Sequence, residues 1–184
     1  AQEYPVEVIV NEAQEAKEAP GALADLGLLL EQGFRSSSNS PWMVLAGDNL
    51  MDFSLSEAVI KQAENLEQPL FLVRKIEGSI PPNQYSEVIL DSKGCIKQIR
   101  EKPDNPSSPY SAIGAYILPL DLPELLSQYL GQGGSPDSPG NLMVWLARER
   151  NCGVWHIPAG LWWDIGNLES YQQASQVMLK NLSP

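Results

Sequence analysis

The stretch Trp42-Met43-Val44-Leu45-Ala46-Gly47-Asp48-Asn49-Leu50 decides how this chain is read. Residues 42–46 form an apolar run that predicts a strand, and it passes directly into a glycine and an aspartate. Glycine allows a ligand close to the backbone, and a carboxylate is a hard oxygen ligand suited to Mg²⁺. In α/β sheets ligands bind beyond the carboxyl ends of parallel strands, which is where Asp48 would stand. A Gly-Asp pair also serves as an ordinary loop cap, so the dipeptide alone leaves both readings open.

Outward from this strand, helix and strand signals alternate. Upstream, Val6 to Val10 is a short β-branched run that predicts a buried strand. Gly21 to Gln32 carries leucines at helical spacing, with Gly33 as its stop. Downstream, Ser54 and Glu57 form a capping-box pattern for a helix to about Glu67, and Leu70 to Val73 reads as a strand. Tyr85 to Leu90 and Cys95 to Arg100 flank Asp91-Ser92-Lys93-Gly94, a hairpin signal. Further strands are expected at Ala112 to Leu118 and Gly153 to Ile157. Helices are expected at Leu122 to Leu130, Leu142 to Arg150 and Ser170 to Leu182. This order argues an α/β fold with a mixed sheet.

The 184 residues suffice for one domain with its own core, and 43% of them are hydrophobic. The formal charge of −11 would repel a phosphate backbone, so nucleic acid is an unexpected partner. A small phosphorylated substrate stays open, because a bound divalent cation inverts the local field. No apolar run approaches the ~20 residues of a membrane span. Cys95 and Cys152 show no metal-ligand or disulfide pattern and read as reduced thiols in a cytoplasmic protein.

Two further segments carry candidate chemistry. Asp164 lies in Leu161-Trp162-Trp163-Asp164-Ile165-Gly166. A carboxylate among apolar neighbours needs donors or a cation, although a helix cap would also account for it. Glu101-Lys102-Pro103 places a carboxylate beside an ammonium, a pair able to hold sugar hydroxyls and a phosphate together; a solvated strand end is the plainer alternative. His156, the single histidine, reads as a packed structural residue between Trp155 and Ile157.

Taken in order, these segments resemble the sugar-1-phosphate nucleotidylyltransferases, the family of glucose-1-phosphate thymidylyltransferase. The residues that carry the resemblance are Gly21-Ala22-Leu23, Leu45-Ala46-Gly47-Asp48-Asn49-Leu50 and Tyr85-Ser86-Glu87-Val88 with Asp91 and Gly94. Glu101-Lys102-Pro103, Ile113-Gly114-Ala115-Tyr116 and Trp163-Asp164-Ile165-Gly166 complete the set. The resemblance implies a three-layer αβα fold around a mixed, mostly parallel sheet. It implies a Mg²⁺-dependent reaction in which a sugar-1-phosphate attacks the α-phosphorus of a nucleoside triphosphate and pyrophosphate leaves. Asp48 and Asp164 match metal-binding aspartates. Glu101 matches a sugar-binding glutamate, and Lys102 a catalytic lysine on the sugar phosphate. Gly114 and Gly21 match substrate-lining glycines.

The chain also departs from the pattern. The family's G-x-G-T-R-L loop, which cradles the triphosphate, is not found in these residues, and Glu18 and Ser86 replace glycines of the family motifs. The chain is therefore expected to be the C-terminal part of a single nucleotidyltransferase domain, spanning residues 1–184 and inactive in isolation. An exposed sheet edge would favour homo-oligomers. The alternative is a non-catalytic module that binds a sugar phosphate or nucleotide sugar. A metal-dependent glycosyltransferase is disfavoured because no clear D-x-D pair is present.

Overall fold

The computed structural model describes residues 6, 8–11, 13, 19–32, 40–158, 160 and 162–182. Its centre is a six-stranded sheet. The strands are β1 (Trp42–Leu45), β3 (Leu70–Lys75), β4 (Glu87–Leu90), β5 (Ile96–Arg100), β6 (Tyr110–Leu118) and β7 (Gly153–His156). The order is β5-β4-β6-β3-β7, with β1 paired to β6 on the side that β4 takes further along. A separate two-stranded sheet joins β2 (Asn49–Met51) to β8 (Trp162–Asp164). The helices are α1 (Ala22–Glu31), α2 (Ser56–Gln62), α3 (Leu122–Gly131), α4 (Pro139–Glu149) and α5 (Leu168–Leu182).

The sheet is buried on both faces, giving the three layers expected. Phe71 and Val73 of β3 pack with Tyr116 and Leu118 of β6 against apolar residues of α1, α3 and α4. Leu70 and Leu72 point the other way, toward Ala58 of α2 and Trp155. Successive side chains of a strand alternate faces, so a strand between two helical layers must be apolar throughout, and Leu70 to Val73 is. Phe71 and Leu72 are fully buried, each stabilising the fold by about 1.5–3 kcal/mol through apolar transfer. Pro123 and Pro139 occupy the first turns of α3 and α4, where a missing N–H costs nothing. No helix among the described residues is long and apolar enough to cross a membrane.

Four expectations need correction. The sheet is mixed, but its balance is antiparallel rather than mostly parallel, since among the described strands only β3 and β7 pair in parallel. The reason is that β6 runs antiparallel to all three of its neighbours. Val6, Val8 and Val10 form no strand and are 77–83% exposed, because β-propensity without a partner strand buries nothing. Ser54 does not cap α2 in a box with Glu57. Its hydroxyl instead accepts from the Ser56 amide and bonds the Ser56 hydroxyl, and the helix opens two residues later. His156 is exposed and lies against the Tyr110 ring, 5.4 Å between centroids, because β7 ends there. Gly33 and Glu18 fall outside the described residues.

Candidate active site

β1, β3 and β7 point the same way, so their carboxyl ends share one edge of the sheet. Asp48 follows β1 on that edge, as the sequence predicts. The chain turns at Gly47 and Asp48, the Asn49 amide donating to the Ala46 carbonyl, and re-enters as β2, whose Asn49 sits directly opposite Asp164 of β8. The Ile165 amide donates to the Asp48 carbonyl at 2.8 Å, clamping the two segments together. Two aspartates 116 positions apart are thereby neighbours. Burial first, and the Asp48 charge second, push the Asp164 carboxyl above its ordinary pKa, while Lys102 pulls it back. A like charge nearby disfavours the ionised form of a carboxylate, so the two aspartates repel one another.

Asn49 organises this corner. Its amide nitrogen donates to Asp48 Oδ1 at 2.9 Å, and its amide oxygen accepts from Trp162 Nε1 at 2.5 Å. Beside it stands Gly114, in the middle of β6 with φ +69°. A Cβ there would come within 3.2 Å of Ala46 Cβ and 3.4 Å of Asn49 Nδ2. Glycine is favoured at this point because the left-handed backbone strains any side chain and a Cβ would be tight against Ala46. The Gly114 carbonyl accepts from the Ala46 amide at 2.9 Å, so the break in β6 positions the turn that carries Asp48.

Glu101 and Lys102 follow β5. Lys102 has φ +41°, a left-handed conformation that costs a non-glycine residue roughly 1–2 kcal/mol. β5 itself ends at Arg100, so Glu101 and Lys102 lie beyond the strand's alternation. Lys102 is exposed and close enough to act on Asp164. Glu101 lies at the first turn of α4. Ser138 Oγ donates to its Oε1 at 3.1 Å and Ser86 Oγ donates to its Oε2. A Cβ on Gly140 would fall on the same carboxylate, so the small residue makes room for it. Helix N-termini favour anions, which suits a carboxylate held here. Burial, then the Glu101 charge, drive the Tyr116 phenol far above its usual pKa.

Gly21 has a different setting. It is buried with φ +101°, and a Cβ would lie 2.5 Å from Asp137 Cα and 2.6 Å from the Pro136 carbonyl. It lets α1 dock on the 136–137 backbone, and the Leu23 amide donates to the Pro136 carbonyl at 2.9 Å. Its neighbours Ala22 and Leu23 line a cleft of about 720 Å³ that reaches Asp48, Gly114 and Tyr116.

Sequence reasoning passed over Asn49, Arg74 and the pairing of β2 with β8. Arg74 Nη1 donates to the Trp162 carbonyl at 3.3 Å, and its guanidinium lies 5.6 Å from the centre of the Trp162 ring. Tyr85 meets the same indole edge-on at 5.5 Å. Burial and the Asp164 charge raise the Tyr85 phenol, against Arg74 and a bond from Gln84. An arginine at a carboxyl-end strand position was the available signal. Among the described residues no cluster of three or more metal-ligating side chains occurs. The two aspartates are nevertheless hard donors held together under mutual repulsion, which fits a divalent cation completed by substrate oxygens.

Comparison with known proteins bears on the family and the fold. The family model described as nucleotidyl transferase matches residues 1–181. The mannose-1-phosphate guanylyltransferase catalytic subunit beta of Drosophila melanogaster is 30% identical over 117 residues, covering 64% of this chain and 30% of that protein. The glucose-1-phosphate adenylyltransferase of Thermomicrobium roseum is 22% identical over 145 residues, covering 76% of this chain and 32% of its own length. The chain thus spans about a third of these relatives. A solved structure from Bacillus anthracis, assigned as a glucose-1-phosphate thymidylyltransferase and bound to a sucrose, superposes with TM-score 0.71 at 21% identity. It covers 87% of this chain and 61% of its own. A UDP-glucose pyrophosphorylase complexed with UDP-glucose superposes with TM-score 0.70 at 20% identity, covering 88% and 63%. With a family match over nearly every residue and the motifs assembled at one edge of the sheet, the chain belongs to the nucleotidyl transferase family.

Proposed function

We propose that this chain carries the cation- and sugar-phosphate-binding part of a sugar-1-phosphate nucleotidylyltransferase. The reaction joins a sugar-1-phosphate to the α-phosphorus of a nucleoside triphosphate and releases pyrophosphate. The observation that carries this reading is the meeting of Asp48 and Asp164 through the β2–β8 pairing, with Lys102 beside them. Asp48 and Asp164 would hold Mg²⁺, which when bound neutralises charge on the phosphate oxygens. Lys102 supplies a positive charge to the sugar phosphate and orients it for attack. Glu101 offers carboxylate oxygens to sugar hydroxyls, in exchange for the Ser86 and Ser138 hydroxyls it accepts now. Gly114 keeps the wall beside Asn49 free of a side chain. Transfer of this kind depends on positioning and charge neutralisation more than on covalent chemistry.

These 184 residues contain no G-x-G-T-R-L loop, so the chain by itself is expected to bind sugar phosphate without turning it over. Loss of even one preorganised donor costs ~10²–10³ in rate. The test combines calorimetry of glucose-1-phosphate in Mg²⁺ with an assay of pyrophosphate release against each nucleoside triphosphate. Binding that needs Mg²⁺ and disappears in Asp48→Ala and Asp164→Ala supports the reading. Binding indifferent to both substitutions removes it. Saturable pyrophosphate release above the Asp48→Ala control would show that the catalytic groups lie within this chain after all.

A further inference from the structure

The geometry points to Arg74 as a second cationic contact for the phosphoryl group bound at this site, acting together with Lys102. This rests on the sugar-phosphate reading above and adds a residue to it.

Three observations converge. The first is placement. Arg74 lies at the carboxyl end of β3, on the same sheet edge as the Asp48 turn, where α/β sheets bind ligands. The second is facing. Trp162 and Asp164 are two apart on β8 and therefore project to the same side of that strand. The Arg74 guanidinium, over the Trp162 ring and bonded to its carbonyl, therefore lies alongside β8 two residues from Asp164. The third is valence. A guanidinium has five N–H donors, and the hydrogen bond Arg74 makes uses Nη1, toward the Trp162 carbonyl at 3.3 Å. It has no carboxylate partner among the described residues, unlike Arg100 with Glu87 and Arg150 with Asp121.

An arginine with no carboxylate partner among the described residues, in a protein of charge −11, is free to meet an anion that arrives from outside. Phosphate is the anion whose geometry suits the planar fork, and stacking on an indole fixes the fork in advance. Tyr85, against the other part of the same indole, would then border the bound group.

The experiment is calorimetric titration of glucose-1-phosphate into the full chain in Mg²⁺, at two salt concentrations. The variants are Arg74→Gln, Arg74→Lys and Lys102→Ala, with thermal unfolding as the folding control. Arg74→Gln is expected to weaken binding ~10–100-fold, the range of a lost charge-assisted hydrogen bond, and to flatten the salt dependence. Arg74→Lys should recover part of the affinity and the salt dependence, because the charge returns without the fork. A purely structural arginine would lower the melting temperature and leave the salt dependence as in the wild type, which overturns the proposal. Arg74→Gln binding within twofold of wild type, while Lys102→Ala loses affinity, overturns it too and leaves the sugar-phosphate reading standing. Absence of binding by the wild-type chain removes both together. Should Arg74→Gln fail to fold, Arg74→Lys decides alone: affinity reduced several-fold supports the contact, and unchanged affinity refutes it.

Discussion

Lys102 sits in a conformation that few lysines adopt. Its φ of +41° is strained for any side chain with a Cβ, and a glycine there would be relaxed. Its charge stands close enough to act on Asp164. Lys102→Gly is therefore expected to keep or raise stability, by up to about 1 kcal/mol, while weakening glucose-1-phosphate binding by an order of magnitude or more. Thermal unfolding and calorimetry on the same sample separate the two effects. A variant that loses stability and keeps its affinity would show that the lysine serves the fold. Gly114 presents the converse case, since its left-handed backbone is unstrained only because no side chain is present. The sequence exposed both residues as candidates, yet neither positive φ could be read from residue types alone.

At the scale of elements, the corner after β5 is held by a charge buried for that purpose. Glu87 of β4 is wholly inaccessible, and it accepts from Arg100 Nε and from the Ser107 and Ser108 amides, each at 2.5 Å. Burial alone would raise its pKa. The two amides and the guanidinium outweigh that and hold the carboxyl below the ordinary 4.5. A group depressed in the folded state stabilises above its unfolded pKa, and the contribution is lost as pH falls through the folded value. Unfolding of the wild type should accordingly steepen below about pH 4.5, and Glu87→Gln should flatten that acid limb. Arg100→Ala leaves the carboxylate buried without its cation, at a cost of about 3 kcal/mol, the lower end for such pairs because Arg100 is one-third exposed. Denaturant titrations at pH 7 and pH 4 measure both, and an Arg100→Ala protein as stable as wild type would remove the clamp from the account. The hairpin itself was legible in Asp91 to Gly94: Asp91 Oδ1 accepts from the Lys93 and Cys95 amides, and Gly94 takes φ +79°. The pairing of β2 with β8 was not legible, because three-residue strands have too little periodicity to announce themselves.

For the whole molecule, β1 is an edge among the described strands, paired to β6 alone. Met43 and Leu45 on it are 40% and 47% exposed. An apolar edge with unpaired backbone groups recruits further strands, so the chain in solution should self-associate. Met43→Lys places a charge on that edge and is expected to shift size-exclusion and light-scattering profiles toward monomer. Identical profiles for both proteins would locate the association elsewhere. The net charge of −11 acts at the same scale, and Lys102 near Asp164 and Arg74 over Trp162 are local cations against it. The sequence by itself determined the α/β class, most helices and strands, and the identity of the acidic and basic candidates, because hydrophobic period and turn chemistry are local properties. Only the tertiary structure decided that β6 runs against its neighbours, that Val6, Val8 and Val10 lie in no described strand, and that Arg74 lies over Trp162. Those outcomes depend on which strand finds which partner, and pairing energy is a property of two segments that neither segment's residues can specify alone.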